Sequence, residues 1–193
     1  MQESHGSHKG CRYINTTGPN MSKASADKPK AVLNCAVLTI SDSRSAADDS
    51  SGDYLADRLQ ANGHRCAKRA ICGGNLYQIR RTLSDWIADE QIQVIITNGG
   101  TGYTHRKSTA AAITPLLDSV ISGFGELFRH LSYLEIGSSS LQSDAFAGSA
   151  NDTLIFCVPG STGACKTAWE GIIGQQLDST HRPCNFASHY QNR

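Results

Sequence analysis

Three runs of this chain are almost wholly apolar and only strand-long, and they restrict the architecture more than any other feature. They are Val32 to Ile40, Gln93 to Thr97 and Thr153 to Val158. A strand that faces water on one side alternates apolar and polar residues, whereas a run that is apolar at successive positions must be buried on both faces. Two-sided burial needs a layer above and a layer below, and the intervening segments have the periodicity to supply them. Tyr54, Leu55 and Leu59 recur at helical spacing behind a loop, Ser41 to Ser51, that ends in Asp and Ser residues suited to capping; Asn62-Gly63 stops that helix. A second strand is read over His64 to Ile71. After Gly73-Gly74, the residues Leu76, Ile79, Leu83, Trp86 and Ile87 mark one face of a helix ending near Asp89. Further helices are predicted from about Thr109 to Leu117, from Gly123 through Leu134, and from Pro159-Gly160-Ser161 to about Leu177, with a Ser-rich connector before the last strand. Strands separated by helices imply right-handed crossovers and a parallel sheet covered on both sides.

The chain has 193 residues, enough for one domain that hides roughly 70 % of its unfolded surface. Residues 1–30 are rich in Ser, Lys, Gly and Asn and nearly devoid of apolar side chains, so they read as a disordered tail, with Met21 as a second candidate start. The domain is expected over residues 31–188, and residues 189–193 as a C-terminal tail. With 18 Lys+Arg against 17 Asp+Glu the formal charge is +1, which leaves no broad basic field for nucleic acid or an anionic membrane. No apolar run approaches the ~20 residues of a spanning helix, and residues 1–10 lack a signal-peptide core, so a cytoplasmic protein is expected. Seven cysteines form no C-x-x-C pair and are odd in number, which argues for buried free thiols rather than a zinc knuckle or a disulfide framework. His64, His105 and His130 have no partner at ligand spacing, and no metal site is assigned.

In a parallel sheet the loops leaving the carboxyl ends of the strands lie together, where helix N-termini and free backbone N–H groups point into a crevice. Three such loops are available: Ser41-Asp42, Asn98-Gly99-Gly100-Thr101-Gly102, and Pro159-Gly160-Ser161. The glycines let backbone wrap an anionic oxygen, and Thr101 adds a hydroxyl donor. The pattern is neither a G-x-x-x-x-G-K-[ST] P-loop nor a G-x-G-x-x-G dinucleotide turn. Glu126, near the start of a helix, is a further site candidate, or simply a favourable partner of the helix dipole. Arg106-Lys107 reads as a solvated pair on a loop, and Trp86 and Trp169 as core or subunit contacts.

Taken together, Leu38-Thr39-Ile40-Ser41-Asp42, Asp49-Ser50-Ser51-Gly52, Asn98 to Gly102, Gly123 to Arg129, Glu135-Ile136-Gly137, Pro159-Gly160-Ser161 and Arg182 to Phe186 closely resemble the MoaB/MogA family of molybdopterin-binding proteins. The closing Arg182-Pro183-Cys184-Asn185-Phe186 and the Gln142-Ser143 stretch look like its B branch, involved in molybdenum cofactor biosynthesis, rather than its molybdopterin adenylyltransferase branch. The resemblance implies a three-layer α/β/α, Rossmann-like fold with a mostly parallel sheet, a homo-oligomer (trimer or hexamer), and a molybdopterin pocket that adds Ser143 to the candidates above.

Active members of the family join AMP from ATP and Mg2+ to the terminal phosphate of molybdopterin, and carboxylates are needed to hold Mg2+ against the phosphates. The family's pattern after Gly-Gly-Thr-Gly is Arg-Asp-x-Thr-Pro-Glu-Ala. Here it reads Arg106-Lys107-Ser108-Thr109-Ala110-Ala111-Ala112, without either acid. A further family aspartate aligns with Gly74, and a family arginine after Ser143 is Asp144. Two readings follow. One is a protein that binds molybdopterin, or its precursor, without transferring AMP. The other is an active adenylyltransferase whose metal is held by other acids, Asp42, Asp48 or Asp49; catalytic residues are left unassigned. A generic nucleotide-binding domain outside the family is disfavoured by the Gly123 to Arg129 and Arg182 to Phe186 matches.

Overall fold

The computed structural model describes residues 29–101 and 108–191. Among the described residues six strands form one sheet in the order β2-β1-β3-β6-β5-β4. The three apolar runs become its centre: β1 (Asn34–Ile40), β3 (Val94–Gly99) and β6 (Thr153–Val158), parallel to one another and to the edge strand β2 (Arg65–Cys72). Their side chains divide by parity. Cys35, Val37, Val94, Ile96, Leu154, Phe156 and Val158 join one buried cluster, while Ala36, Leu38, Ile40, Ile95, Ile155 and Cys157 join the other. The two clusters make the molecule three-layered. Each large apolar side chain so buried contributes about 1.5–3 kcal/mol before chain entropy is counted.

Helix α1 (Ser50–Ala61), helix α4 (Ser122–Ile136) and the C-terminal helical segment cover the first face, and α2 (Leu76–Ile87) with the short α3 (Thr109–Ile113) covers the second. Trp169 and Trp86 lie buried on opposite faces. The start of α1 is capped by Asp49, whose side chain accepts from Gly52 N–H, and its end by Asn62 ahead of Gly63 at φ +87°. The helix expected to reach Leu117 stops at Ile113 and tightens into a 3-10 turn over Thr114–Leu116, because Pro115 has no N–H to continue the α-helical ladder. After β6 the helix runs as α5 (Thr162–Ala168), a π-helical turn (Trp169–Ile173) and α6 (Gly174–Gln176).

The far edge of the sheet was not legible as strand. β5 (Phe146–Ala150) lies antiparallel to β6, and the two-residue β4 (Ser119–Val120) antiparallel to β5, with a 3-10 segment (Gly137–Gln142) in the Ser-rich connector. At the C-terminus, α7 (Ala187–Tyr190) carries the packed chain past residue 188: Ala187 is fully buried and Gln93 Nε2 donates to Tyr190 O. At the other end Lys30, assigned to the tail from sequence, pairs with Asp178 at 3.0 Å and donates to Asn62 Oδ1. Residues 1–28 of the N-terminal tail lie outside the described residues.

The described cysteines are free. Cys35, Cys157 and Cys165 are buried, and burial pushes the Cys157 and Cys165 thiols up to about 12. Cys66 and Cys72 are only half-buried and Cys184 is exposed, so the expectation of buried thiols fails for Cys184, which sits in the loop before α7 where no layer covers it. No described helix is long and apolar enough to cross a membrane.

Candidate functional site

At the carboxyl edge of the sheet, the ends of β1, β3 and β6 enclose a cavity of about 420 Å³. It is lined by Ser41, Asn98, Gly99, Gly100, Gly160 and Ser161, together with Thr39, Ile40 and Arg44. Six of the sequence candidates are thus brought together by topology alone. A second cavity of about 640 Å³ adjoins it toward β2, sharing Ser41 and Arg44 and adding Asp42, Arg69, Cys72 and Gly73 among others. Pro159 and Thr101 sit half-buried in their loops, outside the residues that line either cavity. Gly102 lies outside the described residues, as do His105, Arg106 and Lys107. Ser143 stands three residues before Phe146, which pairs with Cys157 near the end of β6, so it reaches the same sheet edge without lining the cavities. Glu126 is exposed on α4 and is likewise not brought into them.

Gly99 and Gly100 hold φ +93° and +60°, and a Cβ on them would lie 2.3 Å from Ile40 O and from Thr109 Oγ1 respectively. The β3 loop is tied down from the other side, where Thr109 Oγ1 donates to Gly99 O at 2.8 Å. A Cβ on Gly160 would come within 2.9 Å of Gly99 Cα, so the β3 and β6 loops touch through glycine. Ser161 caps α5 by accepting from Ala164 N–H. The result is a cradle of closely approached backbone, of the kind that receives an anion or a flat polar ring.

Beneath the cradle runs a buried polar network that sequence reasoning missed. Asp49 is fully buried; its carboxylate accepts from Thr39 Oγ1 at 2.8 Å, from Gly52 N–H at 3.1 Å and from Arg69 Nη2 at 2.8 Å. Thr39, having given its proton to Asp49, accepts from Asn98 Nδ2 at 2.9 Å, which sets the amide orientation and leaves Asn98 Oδ1 buried without a partner among the described residues. Burial would push the Asp49 carboxyl up, but the Arg69, Thr39 and Gly52 hydrogen bonds and the Arg69 charge outweigh it and hold the carboxyl below its ordinary range. Arg44 adds a longer contact to Asp49, 3.4 Å, and donates to Gly160 O at 3.1 Å, which also accepts from Ser51 Oγ.

Mg2+ does not fit what is present. The residues lining the two cavities include one carboxylate, Asp42, whose Oδ1 accepts from Gly74 N–H, and no group of three potential metal ligands exists among the described residues. A Cβ on Gly74 would stand 3.5 Å from both Asp42 Oδ2 and Ser108 Oγ, so a carboxylate there would have faced Asp42; glycine supplies none. Of the alternative acids, Asp49 is committed to the buried network, and Asp48 turns back onto the Ser45 hydroxyl at 2.9 Å.

Comparison with known proteins places these features in context. Residues 36–179 match the family model described as "Probable molybdopterin binding domain". Molybdenum cofactor biosynthesis protein B of Escherichia coli (strain K12) is 53% identical over 154 residues, 80% of this chain and 91% of that protein. The protein of the same name from Staphylococcus carnosus (strain TM300) is 44% identical over 149 residues, 76% of this chain and 87% of that one. Among solved structures, a molybdenum cofactor biosynthesis protein B superposes with a TM-score of 0.74 at 39% identity, covering 76% of this chain and 91% of the other. The tungsten cofactor synthesizing protein MoaB from Pyrococcus furiosus gives a TM-score of 0.67 at 31% identity, with 73% and 90% covered.

Proposed function

This chain belongs to the molybdopterin-binding family, and from that membership we propose that it acts in molybdenum cofactor biosynthesis as a B-type protein that binds molybdopterin at the cradle of Ser41, Asn98, Gly99, Gly100, Gly160 and Ser161. The observation that carries the reading is the pair of positive-φ glycines at the end of β3, with the Gly160 loop pressed against them. Backbone N–H groups held in such a turn receive an anion whatever side chains surround them. Asn98 Oδ1, a buried acceptor beside the cavity with no partner among the described residues, suits a ligand rich in N–H donors, as a pterin is.

Binding and group transfer make different demands. The cradle needs glycine and backbone; ATP and Mg2+ need carboxylates, and Gly74, Lys107 and Ala111 stand where the resemblance calls for them. The reading is therefore of a binder, with adenylyl transfer as the disfavoured alternative. Glu126 and Ser143 enter it only across an assembly. Leu127, Tyr133, Leu134, Ile136 and Leu141 are exposed along α4 and the turn after it, and this apolar surface supports the homo-oligomer, trimer or hexamer, that the family resemblance implies. A cytoplasmic location belongs to the same proposal. Anaerobic calorimetry with purified molybdopterin tests the binding: the expected result is a saturable heat at one ligand per chain, and no heat overturns it.

A further inference from the structure

Arg44 stands at the junction of the two cavities and lines both. Among the described residues it is the one cation common to them, and nothing in the sequence resemblance gives it a role. We propose that Arg44 is the side chain that grips the phosphate group of the bound ligand, turning from its resting contacts to the oxyanion. This rests on the reading that a phosphorylated pterin occupies the cradle.

Among the described residues Asp49 has two guanidinium neighbours, and they are not equivalent. Arg69 holds it tightly, with Nη2 at 2.8 Å from Oδ2 and also donating to Asp49 O, while Nη1 pairs with Asp53. Arg44 reaches the other carboxylate oxygen only at 3.4 Å, beyond the usual range of a charge-assisted bond. With Arg69, Thr39 and Gly52 already serving Asp49, the carboxylate stays compensated if Arg44 leaves. Arg44 can therefore move at little cost, and Arg69 cannot.

The donor inventory points the same way. A guanidinium carries five N–H donors in a fork that matches phosphate, and among the described residues those of Arg44 find two partners, Asp49 Oδ1 and Gly160 O. Its backbone is fixed where the side chain is not: the Arg44 N–H and the Ser43 N–H both donate to Ser41 Oγ, which pins the loop at the cavity rim. Gly160 O belongs to the cradle itself, so the guanidinium already rests against the wall that a ligand would touch.

Anaerobic titration of the full chain with molybdopterin and with its dephosphorylated form, measured on the wild type, Arg44→Gln, Arg44→Lys and Arg69→Gln, tests this. The wild type should prefer the phosphorylated ligand by on the order of tenfold or more. In Arg44→Gln that preference should fall below about threefold, with the melting temperature within about 2 °C of wild type; Arg44→Lys should restore part of the preference, since it keeps the charge but not the fork. Arg69→Gln should lower the melting temperature instead. A tenfold preference that survives in Arg44→Gln overturns the assignment to Arg44 while leaving molybdopterin binding in place. A preference lost in Arg69→Gln at unchanged stability transfers the role to Arg69 and overturns it too. A wild type that binds neither ligand removes the proposed function itself, an outcome distinct from both.

Discussion

The two halves of the groove at the carboxyl edge are built on different physics. On the β3–β6 side the wall is backbone: Gly99, Gly100 and Gly160 approach one another and Ile40 so closely that no side chain fits. On the β2 side the wall is side chain: Asp42, Arg44 and Arg69 beside Gly73. A wall of backbone is coupled to the fold, because changing it disturbs strand ends and loops together. A wall of side chains is not, so its acids can be absent while the sheet behind it stays the same. That difference explains how the glycine cradle we propose for the ligand can stand intact while Gly74 supplies no carboxylate beside Asp42.

The largest effect should come from breaking the backbone wall. Gly99→Ala places a Cβ 2.3 Å from Ile40 O at a φ of +93°, and unfolding by denaturant should show a loss of about 3 kcal/mol or more, with ligand binding lost as well. A loss under 1 kcal/mol would mean that the cradle is not coupled to the fold. Next in size is the network that joins the two halves. Asp49→Asn leaves Arg69 facing an uncharged amide at a fully buried position and should cost about 2–3 kcal/mol in the same measurement.

Acid should act in the same direction. Burial would raise the Asp178 carboxyl, but hydrogen bonds from Thr180 and Lys30, with the Lys30 charge, pull it down to about 2, and Asp49 is also lowered. A carboxyl depressed in the folded state adds stability that is complete above its unfolded pKa and is lost as pH falls toward the folded one. The melting temperature should thus decline from about pH 4 toward pH 2, and Asp178→Asn should flatten part of that slope. An unchanged slope would remove Asp178 from the account.

The smallest effect on stability should be at the side-chain wall. A Cβ on Gly74 meets only ordinary contacts at 3.5 Å, so Gly74→Asp should shift the melting temperature by less than about 2 °C. Combined with Lys107→Asp and Ala111→Glu it should raise adenylyl transfer, with little change in affinity for molybdopterin. Severe destabilisation by Gly74→Asp alone would erase the contrast between the two walls.

The same division governs what could be seen in the sequence. The central strands were legible because Val94 to Ile96 and Leu154 to Val158 are apolar at successive positions, and the cradle because glycines cluster where strands end. The antiparallel edge was not: Phe146-Ala147-Gly148-Ser149-Ala150 has little apolar volume, and β4 has two residues. Its pairing is set by β6 rather than by its own pattern. The Asp49 network was hidden because its members are polar and distant in sequence, Arg44 and Gly160 being 116 positions apart, and only the folded sheet brings them together. Asp49 itself gave a local signal as a helix cap, which describes one of its hydrogen bonds and none of its ion pairs.

The central claim, a molybdopterin binder without efficient transfer, is tested most directly by incubating the wild-type protein anaerobically with molybdopterin, ATP and Mg2+ and separating the pterin products. The account predicts bound, unmodified molybdopterin, with adenylated pterin formed at a small fraction of the rate of an active family member run alongside. Adenylated pterin accumulating at a comparable rate would contradict it.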